Sequence, residues 1–313
     1  MKVTLLHNAK FPVTGYGGTE RLVGWLAKGL SELGLEVVLA CDPASSCPYA
    51  RVIPYDEEKN LELDSDILHF FNTPIEIPQK PHLVTIGGNG KVGENYSINT
   101  VFVSQNHAFR HGAKAFVYNG LDPDEYLFET KKLPYLTFLA KASWAVKNVK
   151  GAVRVARATQ RELYIMGGNR WLLNGRRGIH WEGMVDGQVK AQRLSQSAGL
   201  IFPVLWNEPF GIAVIEALVS GTPVISTPFG SLSELVHPEV GRICLSYSEM
   251  EEAVGQLQSI KPEHCRDWAL SKFHYRKMAE KYVGYYEKLL KGETLNKILP
   301  MVTAPTGQLL EFS

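Results

Sequence analysis

The chain has 313 residues, enough for about two domains of ~150 residues each. It is 45% hydrophobic and 21% charged with a formal net charge of +1, so no global field favours nucleic acid or an acidic membrane. Its four cysteines, Cys41, Cys47, Cys244 and Cys265, form no CxxC pair, which argues against zinc and for a reducing compartment.

The opening "MKVTLLHNAKF" holds too short an apolar run for a signal peptide. No run approaches the ~20 residues that span a bilayer. The expectation is a cytoplasmic protein without an integral membrane segment, which leaves peripheral membrane association open. "KVTLL" (2–6) reads as a strand, and "GYGGTE" (15–20) opens a helix whose apolar positions Leu22, Val23, Leu26, Leu30 and Leu33 recur at helical spacing, with Gly34 as its stop. "EVVLA" (36–40), "DILHFF" (66–71), "LVTIG" (83–87) and "TVFVS" (100–104) are continuous apolar runs suited to strands buried on both faces. "YNGLDPDEYLFETKKLP" (118–134) is rich in turn formers and reads as an interdomain connection.

A second series follows. Strands are predicted at 135–140, 162–167, 178–183, 199–205 and 223–227, and helices at 149–160 and 186–197. One long aromatic-rich helix is expected over 268–290, crossing back onto the N-terminal domain. The fold class is α/β, with two Rossmann-like doubly wound domains facing a central cleft. The expected bounds are 1–122, 123–290 and a tail 291–313.

The most informative stretch is "WNEPFGIAVIEALVSGTPVIS" (206–226). It is mostly apolar yet carries Glu208 and Glu216, and a buried carboxylate is costly unless paired or hydrogen-bonded. "FGIAVIEALVSG" reads as a helix with Pro209 in its first turn and Gly221 at its end. Glu208 then sits at the helix mouth, beside the free amides of Phe210, Gly211 and Ile212, and Glu216 lies one to two turns inside. Such amides suit a phosphate, and the acids suit sugar hydroxyls. The bland alternative makes Glu208 a helix cap and Glu216 a surface residue.

"NEPFGIAVIEALVSGTPVISTPFGSLSELV" resembles the donor-binding signature of the retaining family-4 glycosyltransferases of GT-B fold, with Glu208 and Glu216 as the E-x7-E pair. "YGGTERLVGWLAKGLSELGLEVVLA" is similar to that family's N-terminal glycine loop, and "FVSQNHAFRHGAKAFVYNGLDPDEY" to its interdomain segment. The resemblance implies transfer of a sugar from a nucleoside diphosphate sugar, UDP-linked in preference to GDP-linked, to a glycan, lipid-linked or small-molecule hydroxyl. It implies hexosyl transfer with retention and no metal or other cofactor. In this picture Glu216 binds ribose hydroxyls. Glu208 and the amides of Phe210, Gly211 and Ile212 hold the sugar and diphosphate. Met184 flanks the base, and Gly17 and Gly18 face the diphosphate. No nucleic-acid partner is implied.

A departing diphosphate needs positive charge. Where the family carries G-R-x5-K-G, this chain has "LAKASWAVKN", with Lys141 and Lys147 as the cations and Ala140 and Asn148 replacing the glycines. A shifted register would use Lys150-Gly151 instead. Many relatives carry a His after the strand at 83–87, where "TIGGNG" has Gly87. Gly87, Asn89 and His107 are therefore the acceptor-side candidates, with His111 a further substitute. "DSD" (64–66) is the motif that binds metal in the other main glycosyltransferase fold, but here it precedes a strand and reads as a turn. The basic loop 168–178 reads as a solvated turn. Rival functions are a nucleotide-sugar-binding protein without transfer activity, and a GT-B epimerase or hydrolase.

Overall fold

A computed structural model describes residues 1–13, 17–168, 177–185 and 187–313. Two compact units are present: unit 1 comprises 1–121 and 273–306, and unit 2 comprises 122–272 and 307–313.

Unit 1 is built on strands β1 (Lys2–Leu6), β2 (Glu36–Cys41), β3 (Arg51–Pro54), β4 (Ile67–Phe70), β5 (His82–Ile86) and β6 (Thr100–Phe102). They form one sheet in the order β3-β2-β1-β4-β5-β6, and every pair is parallel. Helices α1 (Gly18–Glu32), α2 (Glu57–Leu61) and α3 (Gln105–Arg110) follow β1, β3 and β6. α1 ends as expected: Gly34 takes a left-handed φ of 83°, which costs glycine little.

Unit 2 repeats the plan with β7 (Leu133–Leu139), α4 (Val149–Ala158), β8 (Glu162–Met166), β9 (Ile179–Gly183), α5 (Gly187–Gln196), β10 (Ser197–Phe202), α6 (Ile212–Val219), β11 (Val224–Ser226), α7 (Leu232–Leu235), β12 (Gly241–Ile243), α8 (Tyr247–Gln256) and α9 (Pro262–Phe273). Its sheet, β12-β11-β10-β7-β8-β9, is also parallel throughout. Both orders are the 3-2-1-4-5-6 arrangement, forwards or reversed. In such sheets ligands bind beyond the carboxyl ends of the strands, where the order switches direction. In unit 1 that point lies between β1 and β4, and in unit 2 between β7 and β10.

The long helix expected over 268–290 is two helices. α9 stops at Phe273 and α10 (Tyr275–Leu290) begins after an extended His274. The break has a tertiary cause. Leu121 donates its amide to Phe273 O at 2.8 Å and accepts from Tyr275 N at 3.0 Å, so the chain is drawn out to pair with it. His274 then caps α10 through its ring. α10 packs within unit 1, against α1, and a Cβ on Gly29 would come within 2.7 Å of Ala279 Cβ. Its Tyr282 and Tyr286 are buried against His69 of β4.

The segment expected as a tail is packed at both of its ends. Asn296 accepts from the amides of Lys114 and Ala115 and donates to the carbonyls of Ile98 and Thr100, all in unit 1. Residues 307–313 return to unit 2, where Leu310 N donates to Leu205 O and Tyr247 N to Ser313 O. Among the described residues no helix is long and apolar enough to cross a membrane.

Candidate active site

The switch point of unit 2 is framed by the segments that follow β7 and β10. After β7 the chain makes a 3-10 turn, Ala145–Lys147, and then enters a left-handed conformation at Asn148 (φ 55°). Asn is among the few residues besides Gly that visit this region. Its side chain also accepts from Gly151 N, capping α4, and donates to Pro203 O after β10 at 2.8 Å. Asn148 therefore takes a backbone conformation open to glycine and ties the two segments together.

The turn turns Lys147 inward. It is 9% exposed, and Nζ lies 2.5 Å from Glu208 Oε2 and 4.8 Å from the Trp206 ring centroid. Trp206 Nε1 donates to the same oxygen at 2.7 Å. Lys150, in the alternative register, is exposed on α4. Lys141 is exposed as well, with its ammonium 4.8 Å from the Trp144 ring centroid. The structure thus brings Lys147 to Glu208 and leaves Lys141 and Lys150 outside that contact.

The helix after Glu208 starts later than expected. Gly211 is its N-cap at φ 96°, and α6 begins at Ile212. Pro209 and Phe210 precede the helix, so Pro209 is not in its first turn. Phe210 is buried, its carbonyl accepting from Ser231 Oγ at 2.6 Å. Only Ile212 of the three expected amides lies within the helix; a left-handed Gly211 cannot be part of a right-handed turn. The first-turn amides of α6 still lack intrahelical acceptors.

Glu216 lies one turn in and is 6% exposed. Its Oε1 accepts from Tyr126 Oη at 2.7 Å and from Lys190 Nζ at 2.6 Å. Lys190 is on the buried face of α5 with Ala191 and Leu194. α5 and α6 are tied at their C-terminal ends by Lys132. Its Nζ donates to Ser195 O (2.6 Å), Ser220 O (3.1 Å) and Thr222 Oγ1 (3.2 Å), and Thr222 Oγ1 donates to Leu194 O. Burial among these carbonyls lowers the Lys132 pKa to about 8. Both acids are thus paired and buried; Glu216 is not the surface residue of the bland reading, and Gly211 rather than Glu208 is the helix N-cap.

The remaining candidates are placed as follows. Gly17 caps α1 with extended backbone, and a Cβ there would crowd Glu20 and Val13 at 2.8 Å; Gly18 is the first residue of α1. Gly15 and the basic loop at 169–176 lie outside the described residues. Met184 follows β9 and is 57% exposed, its Sδ accepting from Gly168 N. Gly87 is exposed, and a Cβ there would meet nothing within 4 Å.

His107 is fully buried, with Nε2 3.0 Å from Gly88 O. Burial drives its pKa well below the ordinary histidine value. Arg110 donates to Asn89 Oδ1, and His111 Nε2 lies 3.3 Å from Asn89 O. α3 therefore grips the 87–89 loop from beneath. His107 and His111 act on that loop and do not line an open surface. Asp64 and Asp66 are engaged with Lys2, one with its ammonium at 3.5 Å and the other with its amide at 2.7 Å. Among the described residues no cluster of three or more His, Cys, Asp or Glu could hold a metal ion.

Three residues of the site were not among the expected ones: Trp206, Tyr126 and Lys190. Trp206 and Tyr126 stand inside the quoted motifs. Lys190 carried a weaker signal, a charged residue four positions from Leu194 on one helix face.

The glycosyltransferase AviGT4, involved in avilamycin A biosynthesis, superposes with a TM-score of 0.82 at 25% identity, over 94% of this chain and 99% of its own. The fold is GT-B. HepE from Anabaena, solved in complex with UDP-glucose, has the same GT-B architecture, with a TM-score of 0.66 at 13% identity over 92% of this chain and all of its own. Residues 134–259, most of unit 2, match the family described as glycosyl transferases group 1. An uncharacterized 41.2 kDa protein in the cps region of Klebsiella pneumoniae is 27% identical over 116 residues, 35% of this chain. That match spans about a third (32%) of the relative's length. These likenesses support a glycosyltransferase of GT-B fold.

Proposed function

We propose that this chain transfers a hexosyl unit from a nucleoside diphosphate sugar to a hydroxyl of a glycan, glycolipid or small-molecule acceptor, with retention of configuration. UDP-sugars are favoured over GDP-sugars as donors. The carrying observation is the pair of buried carboxylates beside the unit 2 switch point, each held by a buried lysine and an aromatic donor on one oxygen. An acceptor-only carboxylate oxygen left open suits a sugar hydroxyl. Glu216 is assigned to the ribose and Glu208 to the transferred sugar. Lys147 leaves Glu208 for the diphosphate as charge builds on the leaving group, with Lys141 as a second cation. The acceptor attacks from the leaving-group face, and the donor phosphate takes its proton. No metal or other cofactor and no protein nucleophile enters this scheme.

HepE supports the UDP preference through its bound UDP-glucose, and the polysaccharide-region relative supports a cell-surface glycan as the product class. A cytoplasmic location, with peripheral membrane contact when the acceptor is lipid-linked, fits this role. The test is incubation with UDP- and GDP-sugars and hydroxyl acceptors in excess chelator, with product anomers assigned by NMR. Binding to the folded state should also raise its melting temperature. Inverted product, or turnover restored only by magnesium or manganese, would contradict the scheme.

A second reading is a nucleotide-sugar-binding protein without transfer activity. It is favoured by Gly87, which offers no side chain where relatives carry His, and by His107, which is committed to Gly88. Tight donor binding with no product on any acceptor would select it. Donor turnover without acceptor would select a hydrolase.

A further inference from the structure

The two carboxylates of unit 2 are held in the same way. Glu208 Oε2 takes Lys147 Nζ and Trp206 Nε1, and Glu216 Oε1 takes Lys190 Nζ and Tyr126 Oη. In each, the second oxygen accepts no hydrogen bond from any described residue. A carboxylate offers about four lone-pair sites, so concentrating both donors on one oxygen leaves half its capacity unused.

Fold stability does not explain this arrangement. A buried ion pair is weak evidence for stability, since an apolar pair of similar volume is often as good or better. Two donors converging on Oε1 from different elements do fix the carboxylate's torsion, because rotating it would break both bonds at once. Tyr126 and Lys190 are both less than one-tenth exposed, and the Lys132 clasp holds α5 to α6, so the donors themselves have little freedom.

We propose that Lys190 and Tyr126 are positioning residues for Glu216. They occupy Oε1, leave Oε2 as the acceptor offered to a ligand hydroxyl, and so set the discrimination between a ribose and a deoxygenated sugar. The proposal rests on the nucleotide-sugar reading above and deepens it: affinity for the hydroxyl comes from Glu216, and its aim comes from two residues that need not touch the nucleotide.

The probes are UDP and 2′,3′-dideoxy-UDP, titrated calorimetrically against wild type, Lys190→Met, Lys190→Arg and Tyr126→Phe. Wild type should prefer UDP. Lys190→Met should weaken UDP about 10- to 100-fold and leave dideoxy-UDP nearly unchanged, so that the preference collapses. Lys190→Arg should restore part of it. Tyr126→Phe, which removes one hydroxyl, should cost about three- to tenfold on UDP alone, and it keeps the test alive if Lys190→Met does not fold. Equal weakening of both nucleotides, or an unchanged preference in both variants while wild type binds and transfers, would overturn the positioning role and leave the transferase reading intact. Wild type that binds neither of these nor GDP would remove the transferase reading, and this proposal with it.

Discussion

The two units share a sheet plan but bury polarity by opposite means. Unit 1 hides neutral histidines. His7, His69, His82, His107 and His111 are each less than one-tenth exposed, and burial lowers the pKa of every one. Unit 2 hides opposite charges in contact, Lys147 with Glu208 and Lys190 with Glu216. An uncharged imidazole can be satisfied locally, as His69 is by Tyr286 and Thr85 at 2.8 Å each. A buried ion pair must keep both partners. Unit 1 is therefore sensitive to protons, and unit 2 to the loss of a single side chain.

The largest effect should come from splitting a pair. Lys147→Met leaves Glu208 buried without its cation and should destabilise unit 2 by about 3–5 kcal/mol. Lys147→Met with Glu208→Leu should recover much of that. Denaturant unfolding of the singles and the double measures the coupling, and additive losses would contradict it.

Catalysis comes next. A cation aimed at the leaving group acts more strongly in the transition state than on the intact donor. Lys147→Ala should reduce kcat at saturating donor by roughly two to three orders of magnitude, with Lys147→Arg recovering part. Lys150→Ala should turn over normally, because that side chain is exposed on α4 and not seated against Glu208. The reverse result would put the leaving-group charge on Lys150.

Much of the fold was legible in the sequence, and the exceptions have causes. The buried strands announced themselves as continuous apolar runs. The edge strands β3 ("RVIP") and β12 ("GRI") did not, being short and partly exposed at their sheet margins. The α9–α10 break was invisible because a helical pattern runs through it, and only the pairing of Leu121 with Phe273 and Tyr275 draws the chain out. Glu208, Glu216 and Lys147 could be picked from motif spacing. Tyr126 and Lys190 could not, since they stand 90 and 26 residues from Glu216 and meet it only once the sheet has formed. Asn148 looked like a departure until its φ showed a backbone conformation open to glycine.

The acid side of the comparison follows from His69, whose pKa falls to about 3 on burial. Its folded pKa is depressed, so the unfolded chain binds the extra proton below about pH 6.5. Stability is then lost as pH falls from 6.5 towards 3, by about 2 kcal/mol from this group between pH 6.5 and 5. Melting temperatures across that range should drop in wild type and less steeply in His69→Gln. A parallel drop in both would assign the acid sensitivity to other groups.

Unit 2 should show a change of the same sign at high pH, more weakly. Lys132 titrates near 8 when folded and near 10.5 when unfolded, so the unfolded state binds more protons between those values. Stability from this group should rise with pH across that window, and Lys132→Met should flatten the rise. The smallest effect is expected at Asp64, which is exposed and, among the described residues, paired only with Lys2. Asp64→Asn should change stability by no more than about 0.5 kcal/mol, and turnover in chelator should match wild type. A large loss there would reopen a metal-dependent scheme.

The chain passes between the units three times, after residues 121, 272 and 306. This has a consequence for synthesis on the ribosome. The first 121 residues emerge with the unit 1 sheet but without α10, whose Tyr282 and Tyr286 cover His69. Residues 122–272, nearly all of unit 2, are made before that cover arrives. Domains ordinarily fold from the N-terminus onward. Here the N-terminal unit has to wait, its sheet exposed, while all of its neighbour except residues 307–313 is made. The nascent chain therefore presents an unfinished hydrophobic face for the time taken to translate some 150 residues, about eight to thirty seconds at ~5–20 residues per second.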